Sequence, residues 1–435
     1  MLSVLAFIAA IAVAGWFAYR GYRQVWRNIQ LGKPEPTNDH RAKRWRNVLL
    51  VAFGQQKMFK NWTPAVLHLF IYVAFLITQV ELIEILIDGL TGQHRFFAPY
   101  LGGFYSFVIG FIEGLSVLAL VATLAFLARR NLLKVPRFWK PEMKGWPFRD
   151  ANYILIGEII LIAGIFTMNG ADVVLQSRQV ASYVPTGPFF ISQWLGPALF
   201  DRLSTPVLIG LERLGWWLHM LTVLGFLCYL PYSKHLHILL AFPATWYARL
   251  TPKGQLPHMP EVQKEVRILM GLDPSEAQAP SEVPTFGAND VFSLSWKNIL
   301  QAYACTECGR CTAVCPANIT GKKLSPRKVV MAVRDRAEEV GAAIASGRQH
   351  RDNYNDGKSL FDYISPEELH ACTTCNACVE ACPVLINPLD VIVQMRRYEI
   401  LTQGTGPADW LPLFNALENN GAAWAMNEPR DAWRY

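Results

Sequence analysis

The sequence predicts an all-α protein in two parts, a five-helix transmembrane bundle followed by a cytoplasmic helical domain. Three observations predict it. Nearly all long apolar runs fall in residues 1–245, although hydrophobic residues make up 52% of the whole chain and charged residues only 17%. Lysine and arginine alternate in density between successive loops of that half. Eight of the nine cysteines lie in two copies of one phrase beyond residue 300, in a region with few β-branched runs.

The bundle occupies residues 1–245, with spans expected at about 2–19, 63–88, 104–128, 152–175 and 208–245, each with the roughly 20 apolar residues a crossing helix needs. A signal peptide is the rival reading of the first run, encouraged by Ala12-Val13-Ala14. It lacks a basic n-region and is followed directly by Arg20, Arg23 and Arg27, so a retained helix is expected. Segments 20–60 and 129–149 hold ten and seven Lys/Arg, whereas 89–103 and 176–207 hold one and two. The positive-inside rule puts the basic loops in the cytoplasm, the N-terminus outside and everything after the fifth span in the cytoplasm. The net charge of +7 thus reads as membrane topology, with lipid and not nucleic acid as the partner it implies. The outer segment 176–207, with Phe189, Phe190, Trp194 and Phe200, reads either as a short amphipathic surface helix or as a loop packed over the bundle.

Residues 246–295 read as a proline-punctuated cytoplasmic linker, with Ser275–Glu282 a solvated stretch and a short helix from Val262 to Met270. Residues 296–402 form the cysteine domain. A helix over 293–300 feeds the first motif, and Ser325-Pro326 starts another over 325–346 that Gly341 interrupts. Ser365-Pro-Glu-Glu368 reads as a capping box, and Asn387 to Leu401 as a further helix. The tail, 403–435, is either a partner-docking segment or a simple cap.

The motifs are Cys305-x2-Cys308-x2-Cys311-x3-Cys315-Pro316 and Cys372-x2-Cys375-x2-Cys378-x3-Cys382-Pro383. In this spacing three thiolates surround one cubic cluster and the fourth crosses to the other. Cys305, Cys308, Cys311 and Cys382 are therefore expected on one [4Fe–4S] cluster, and Cys372, Cys375, Cys378 and Cys315 on the second. Zinc sites rarely use four such closely spaced cysteines followed by proline, and disulfides would require an oxidising compartment. Cys228 reads as an apolar packing residue.

Ionisable groups inside membrane helices are functional candidates by default. His68 lies eight residues inside Lys60, about 12 Å from the cytoplasmic edge of its helix. If the last span continues past Pro231, His237 lies at a similar depth, placed to clamp a b-type haem with His68. His219, eighteen residues earlier, would share a face with His237 and could serve a second haem. His235 is a further haem contact. Glu81, Glu113 and Glu158 are deep enough to serve proton transfer beside a quinone, or simply inter-helix hydrogen bonds.

Gly54-Gln55-Gln56-Lys57, Leu67-His68, Trp217-Leu218-His219-Met220 and Ser233-Lys234-His235-Leu236-His237 carry a resemblance. Residues 54–245 look like the cytochrome b subunit of respiratory nitrate reductase, its gamma chain, and the membrane subunit of heterodisulfide reductase. That resemblance implies a prokaryotic plasma membrane, a quinone that is menaquinone, and His68 with His237 on a cytoplasmic-side haem. The family's second histidine on helix two falls at Thr78, which leaves a partner for His219 open. The long insert between the cysteine motifs resembles the α-helical ferredoxins of heterodisulfide reductase, glycerol-3-phosphate dehydrogenase and glycolate oxidase subunits. In fused relatives a stretch similar to the tail leads into cysteine-rich CCG domains, so the resemblance implies a separate CCG-domain iron–sulfur protein or flavoprotein as partner. The expected function is a membrane electron-transfer subunit of a quinone-linked oxidoreductase. The alternative is a cluster-bearing redox-sensing or assembly anchor, which needs no haem.

Overall fold

A computed structural model describes residues 1–37, 39–272, 285–424, 428 and 431–434. The stretch Ser275–Glu282 lies outside the described residues. Among those described the protein is all-α, with one isolated bridge between Lys33 and Ser295 in place of any strand.

Five helical segments are long and apolar enough to cross a membrane. They are α1 (Leu2–Ile29), the pair α2 (Trp62–Ile77) and α3 (Gln79–Thr91), α4 (Gly103–Asn131), α5 (Trp146–Ser177) and α7 (Thr205–Tyr229), with a short α6 (Ser192–Phe200) between the last two. The second span bends at Thr78, where the Thr78 hydroxyl and the Gln79 amide both donate to the Phe75 carbonyl. Helices α5 and α7 approach backbone to backbone through glycine. A Cβ on Gly215 would lie 2.6 Å from the Met168 nitrogen, and one on Gly164 3.0 Å from that of His219. Helix α6 packs on α5, where Gly196 meets Gly170, while Phe189 is buried against Tyr105 and Ile109 of α4 and Trp194 is exposed.

The expected single helix over 208–245 is not formed. Pro231 has no N–H to continue the ladder, Ser233 is extended at φ −123°, ψ 151°, and a new helix α8 begins at His237 (His237–Trp246). The buried Asp150 carboxylate stabilises the break by accepting from the Ser233 hydroxyl at 2.7 Å and the Lys234 N–H at 3.0 Å. The eighteen-residue register that aligned His219 with His237 therefore does not apply.

The bundle's two ends differ. At one end Arg95 descends from a loop to donate to Asp172 (3.0 Å) and Asn169 (2.6 Å), while Glu84 accepts from Tyr105 (2.7 Å). At the other, both Lys/Arg-rich loops meet the cysteine domain. The linker before it carries α9 (Pro260–Leu269); the domain contains α10 (Trp296–Tyr303), α11 (Pro326–Ala345), α12 (Pro366–His370) and α13 (Pro388–Arg397), and α14 (Leu411–Asn420) follows in the tail. Ser295 and Ser325 cap α10 and α11, and Ser365 with Glu368 forms the capping box of α12.

Gly341 does not interrupt its helix. It lies inside α11, and the missing side chain lets α1 dock there, since a Cβ would fall 1.8 Å from Asn28 Oδ1. Buried Asn28 donates to Tyr303 at 2.8 Å. One apolar core runs from Val25 and Ile29 of α1 into Val329, Val333, Ile392 and Met395 of the cysteine domain. The membrane anchor and the domain thus share a core.

Candidate redox site

The two cysteine loops adopt the same backbone. The residues before and after the second cysteine of each motif have positive φ: Glu307 (55°) and Gly309 (71°), then Thr374 (55°) and Asn376 (61°). Glycine and asparagine tolerate that conformation best. It turns backbone N–H groups inward, so that Glu307 N–H donates to Cys305 Sγ and Thr374 N–H to Cys372 Sγ, both at 3.4 Å. Ile386 N–H donates to Cys382 Sγ at 3.3 Å.

The thiols lie close enough to influence one another across the two motifs. Cys305 feels Cys308 and Cys382, and Cys311 feels Cys308, Cys305 and Cys382 and, more weakly, Cys378 of the second motif. Cys372 feels Cys315 and Cys375, and Cys378 feels Cys372, Cys315 and Cys375. Cys315, Cys372, Cys375 and Cys378 line a small pocket walled by Leu324, Leu389 and Ile392. Among the described residues no three such side chains converge tightly enough for a single metal ion. Four separated thiols around an apolar cavity suit a cubic cluster better. Burial pushes the Cys305 and Cys378 thiols up to about 12 and Cys382 up to about 11, so cluster assembly must displace protons there. Cys375 is exposed, whereas Cys382 is buried.

Behind the first motif, His68 from α2 and His237 from α8 have ring centres 6.4 Å apart, with their planes tilted by 46°. Each Nδ1 is engaged, His68 with Gln55 Oε1 (3.1 Å) and His237 with the Lys234 carbonyl (3.0 Å). The acceptor carbonyl fixes the Nδ1–H tautomer of His237, which leaves Nε2 as its lone-pair donor. His235 lies 5.9 Å from His237, edge-on to Phe226. His219 is elsewhere, with Nδ1 3.3 Å from the Leu161 carbonyl of α5.

The three candidate acids separate. Glu113 accepts the Ile191 and Ser192 N–H groups at 2.8 and 3.0 Å, which makes it a support for the start of α6. Glu81 is buried 3.9 Å from Arg95. Glu158 follows Gly157, which packs on Phe226. The sequence reading missed Glu307 and Arg310 as more than motif filler, although a charged residue inside a buried cysteine loop is itself a signal. Buried Glu307 pairs with Lys234 and with Arg334 (2.8 Å), and Arg310 donates to the Lys57 and Met58 carbonyls at 3.4 and 3.3 Å. Burial alone would raise the Glu307 carboxyl, but Lys234 and Arg334 outweigh it and hold it below its ordinary range.

Fold and site define a membrane-anchored, all-α iron–sulfur protein. Residues 304–386 match the 4Fe-4S dicluster domain. The chain is 28% identical over 436 residues to the "Probable iron-sulfur-binding oxidoreductase FadF" of Bacillus subtilis, covering 93% of this chain and 57% of that protein. It is 27% identical over 430 residues to the "EtfAB:quinone oxidoreductase" of Syntrophomonas wolfei, covering 92% and 56%. A "Probable membrane-anchored ferredoxin" of Chromohalobacter salexigens is 34% identical over 165 residues, 34% of this chain and 23% of that one. The chain thus spans just over half the length of the two relatives that it matches along most of its own. No solved structure matches it.

Proposed function

We propose that the chain is the membrane electron-transfer subunit of a quinone-linked oxidoreductase, with two [4Fe–4S] clusters, one haem b held by His68 and His237, and menaquinone as the membrane substrate. The observation that carries this reading is the histidine pair. His68 and His237 would hold the haem iron, at a spacing for two imidazoles that bond one metal at about 2 Å each. The 6.4 Å spacing and the engaged Nδ1 atoms fit that arrangement. Bound haem and clusters would supply one-electron carriers, and the protein's part is position and electrostatics.

The cysteine sets 305/308/311/382 and 372/375/378/315 are the proposed ligands, supported by the influence of Cys382 on the first motif and of Cys315 on the second. The first set lies against the histidine pair through Glu307 and Arg310, while the second has the exposed Cys375. Electrons would therefore exchange with a soluble partner at the second set and with the membrane at the first. The relative named for EtfAB supports a flavoprotein as that partner, on the cytoplasmic side given by the basic loops. Among the described residues His219 has no second imidazole in ring contact, so it is assigned no haem.

The optical spectrum of the purified chain tests the reading. A reduced b-type band is expected, lost in His68→Leu and His237→Leu with iron–sulfur content retained. Wild-type protein with full iron but no b-type band would refute conduction and leave the redox-anchor reading.

A further inference from the structure

We propose that the loop of the first cysteine motif also positions the histidine pair, through Glu307 and Arg310, so that cluster site and haem site are built as one unit. The proposal rests on the haem reading above.

Lys234 is the joint on one side. Its ammonium is buried between Glu307 and the Pro147 carbonyl (2.6 Å), and Asp150 accepts its backbone N–H at 3.0 Å. Held at both side chain and backbone, Lys234 presents its own carbonyl to His237 Nδ1 at 3.0 Å. This hydrogen bond orients the ring and raises its basicity as a ligand. Glu307 is held in turn by Arg334 from α11. It reaches Lys234 from a backbone with φ of 55°, the conformation the cysteine loop itself imposes.

Arg310 works on the other side. Its guanidinium donates to the carbonyls of Lys57 and Met58. These two residues closely follow Gln55, whose Oε1 meets His68 Nδ1. Residues 307 and 310 thus grip the two segments that orient the two imidazoles. Each is within two residues of a motif cysteine. Such a link is more than domain docking, because Lys297–Glu35 at 2.7 Å ties the same two halves together without touching either histidine segment.

The test uses the full chain in detergent, with the low-spin haem electron paramagnetic resonance signal and haem midpoint potential as readouts, and iron content as control. Lys234→Met and Glu307→Gln should each shift both readouts while iron stays at the wild-type level, and Lys297→Met should shift neither. The proposal is overturned if both variants keep the wild-type signal and potential, or if Lys297→Met moves them equally. If Lys234→Met does not accumulate, the isosteric Glu307→Gln decides alone. Wild-type protein without a haem signal would overturn the haem reading and this proposal together, which distinguishes that failure from the others.

Discussion

Arg327 offers a quantitative test of how the cysteine domain is fastened to the bundle. Its side chain is fully buried and donates to Glu142 Oε1 and to the Arg137 carbonyl, both at 2.7 Å, in the loop between α4 and α5. Glu142 also accepts from Ser325 at 2.7 Å. In Arg327→Met, Glu142 keeps its charge in a half-buried site with no cation, which costs about 3–5 kcal/mol. At about 2–4 °C per kcal/mol for a unit of this size, the thermal midpoint should fall by roughly 6–20 °C. The assay follows cluster absorbance during heating. Adding Glu142→Leu removes the stranded charge, so the double variant should recover part of the loss, with a coupling of about 2–3 kcal/mol in the double-mutant cycle. Strict additivity of the two single losses would refute the claim that this buried pair fastens the domain.

Two further outcomes follow from the cysteine sets and the ion pairs. Cys382→Ser should remove the cluster that Cys311→Ser removes, and Cys315→Ser the one that Cys375→Ser removes, read as matching losses of one of two cluster signals; pairing by motif instead would contradict the crossed arrangement. Glu142, Glu307 and Asp356 are each held below the ordinary carboxylate range by partners. For Glu142 and Glu307 burial pushes upward and is outweighed by Arg327 and by Lys234 with Arg334, whereas for Asp356 the Arg336 hydrogen bonds dominate. Their contribution is complete above an unfolded carboxyl value of about 4 and is lost as pH falls through the lower folded values. The thermal midpoint should therefore drop on acidification below about pH 4, and Asp356→Asn should show a lower midpoint at neutral pH and a shallower drop.

Local signals carried most of the architecture. Apolar runs gave the five spans because a crossing helix must satisfy its backbone within itself and show an apolar surface to lipid. The serine caps at 295, 325 and 365 also needed only local chemistry. Gly341 misled because the same residue weakens an isolated helix and admits a close neighbour, and only the neighbour, Asn28, decides which applies.

By itself the sequence determined that two four-cysteine motifs follow an apolar bundle, since motif spacing and hydrophobic length are properties of contiguous chain. It also singled out His68 and His237, but through a helix that does not exist past Tyr229. Tertiary structure decided their pairing. Asp150 from α5 supports the break before His237, and Glu307 and Arg310, from a loop more than seventy residues further on, grip the segments that aim both rings. Contacts between such distant residues leave no local pattern, because what selects them is the charge each buried partner would otherwise leave unpaired.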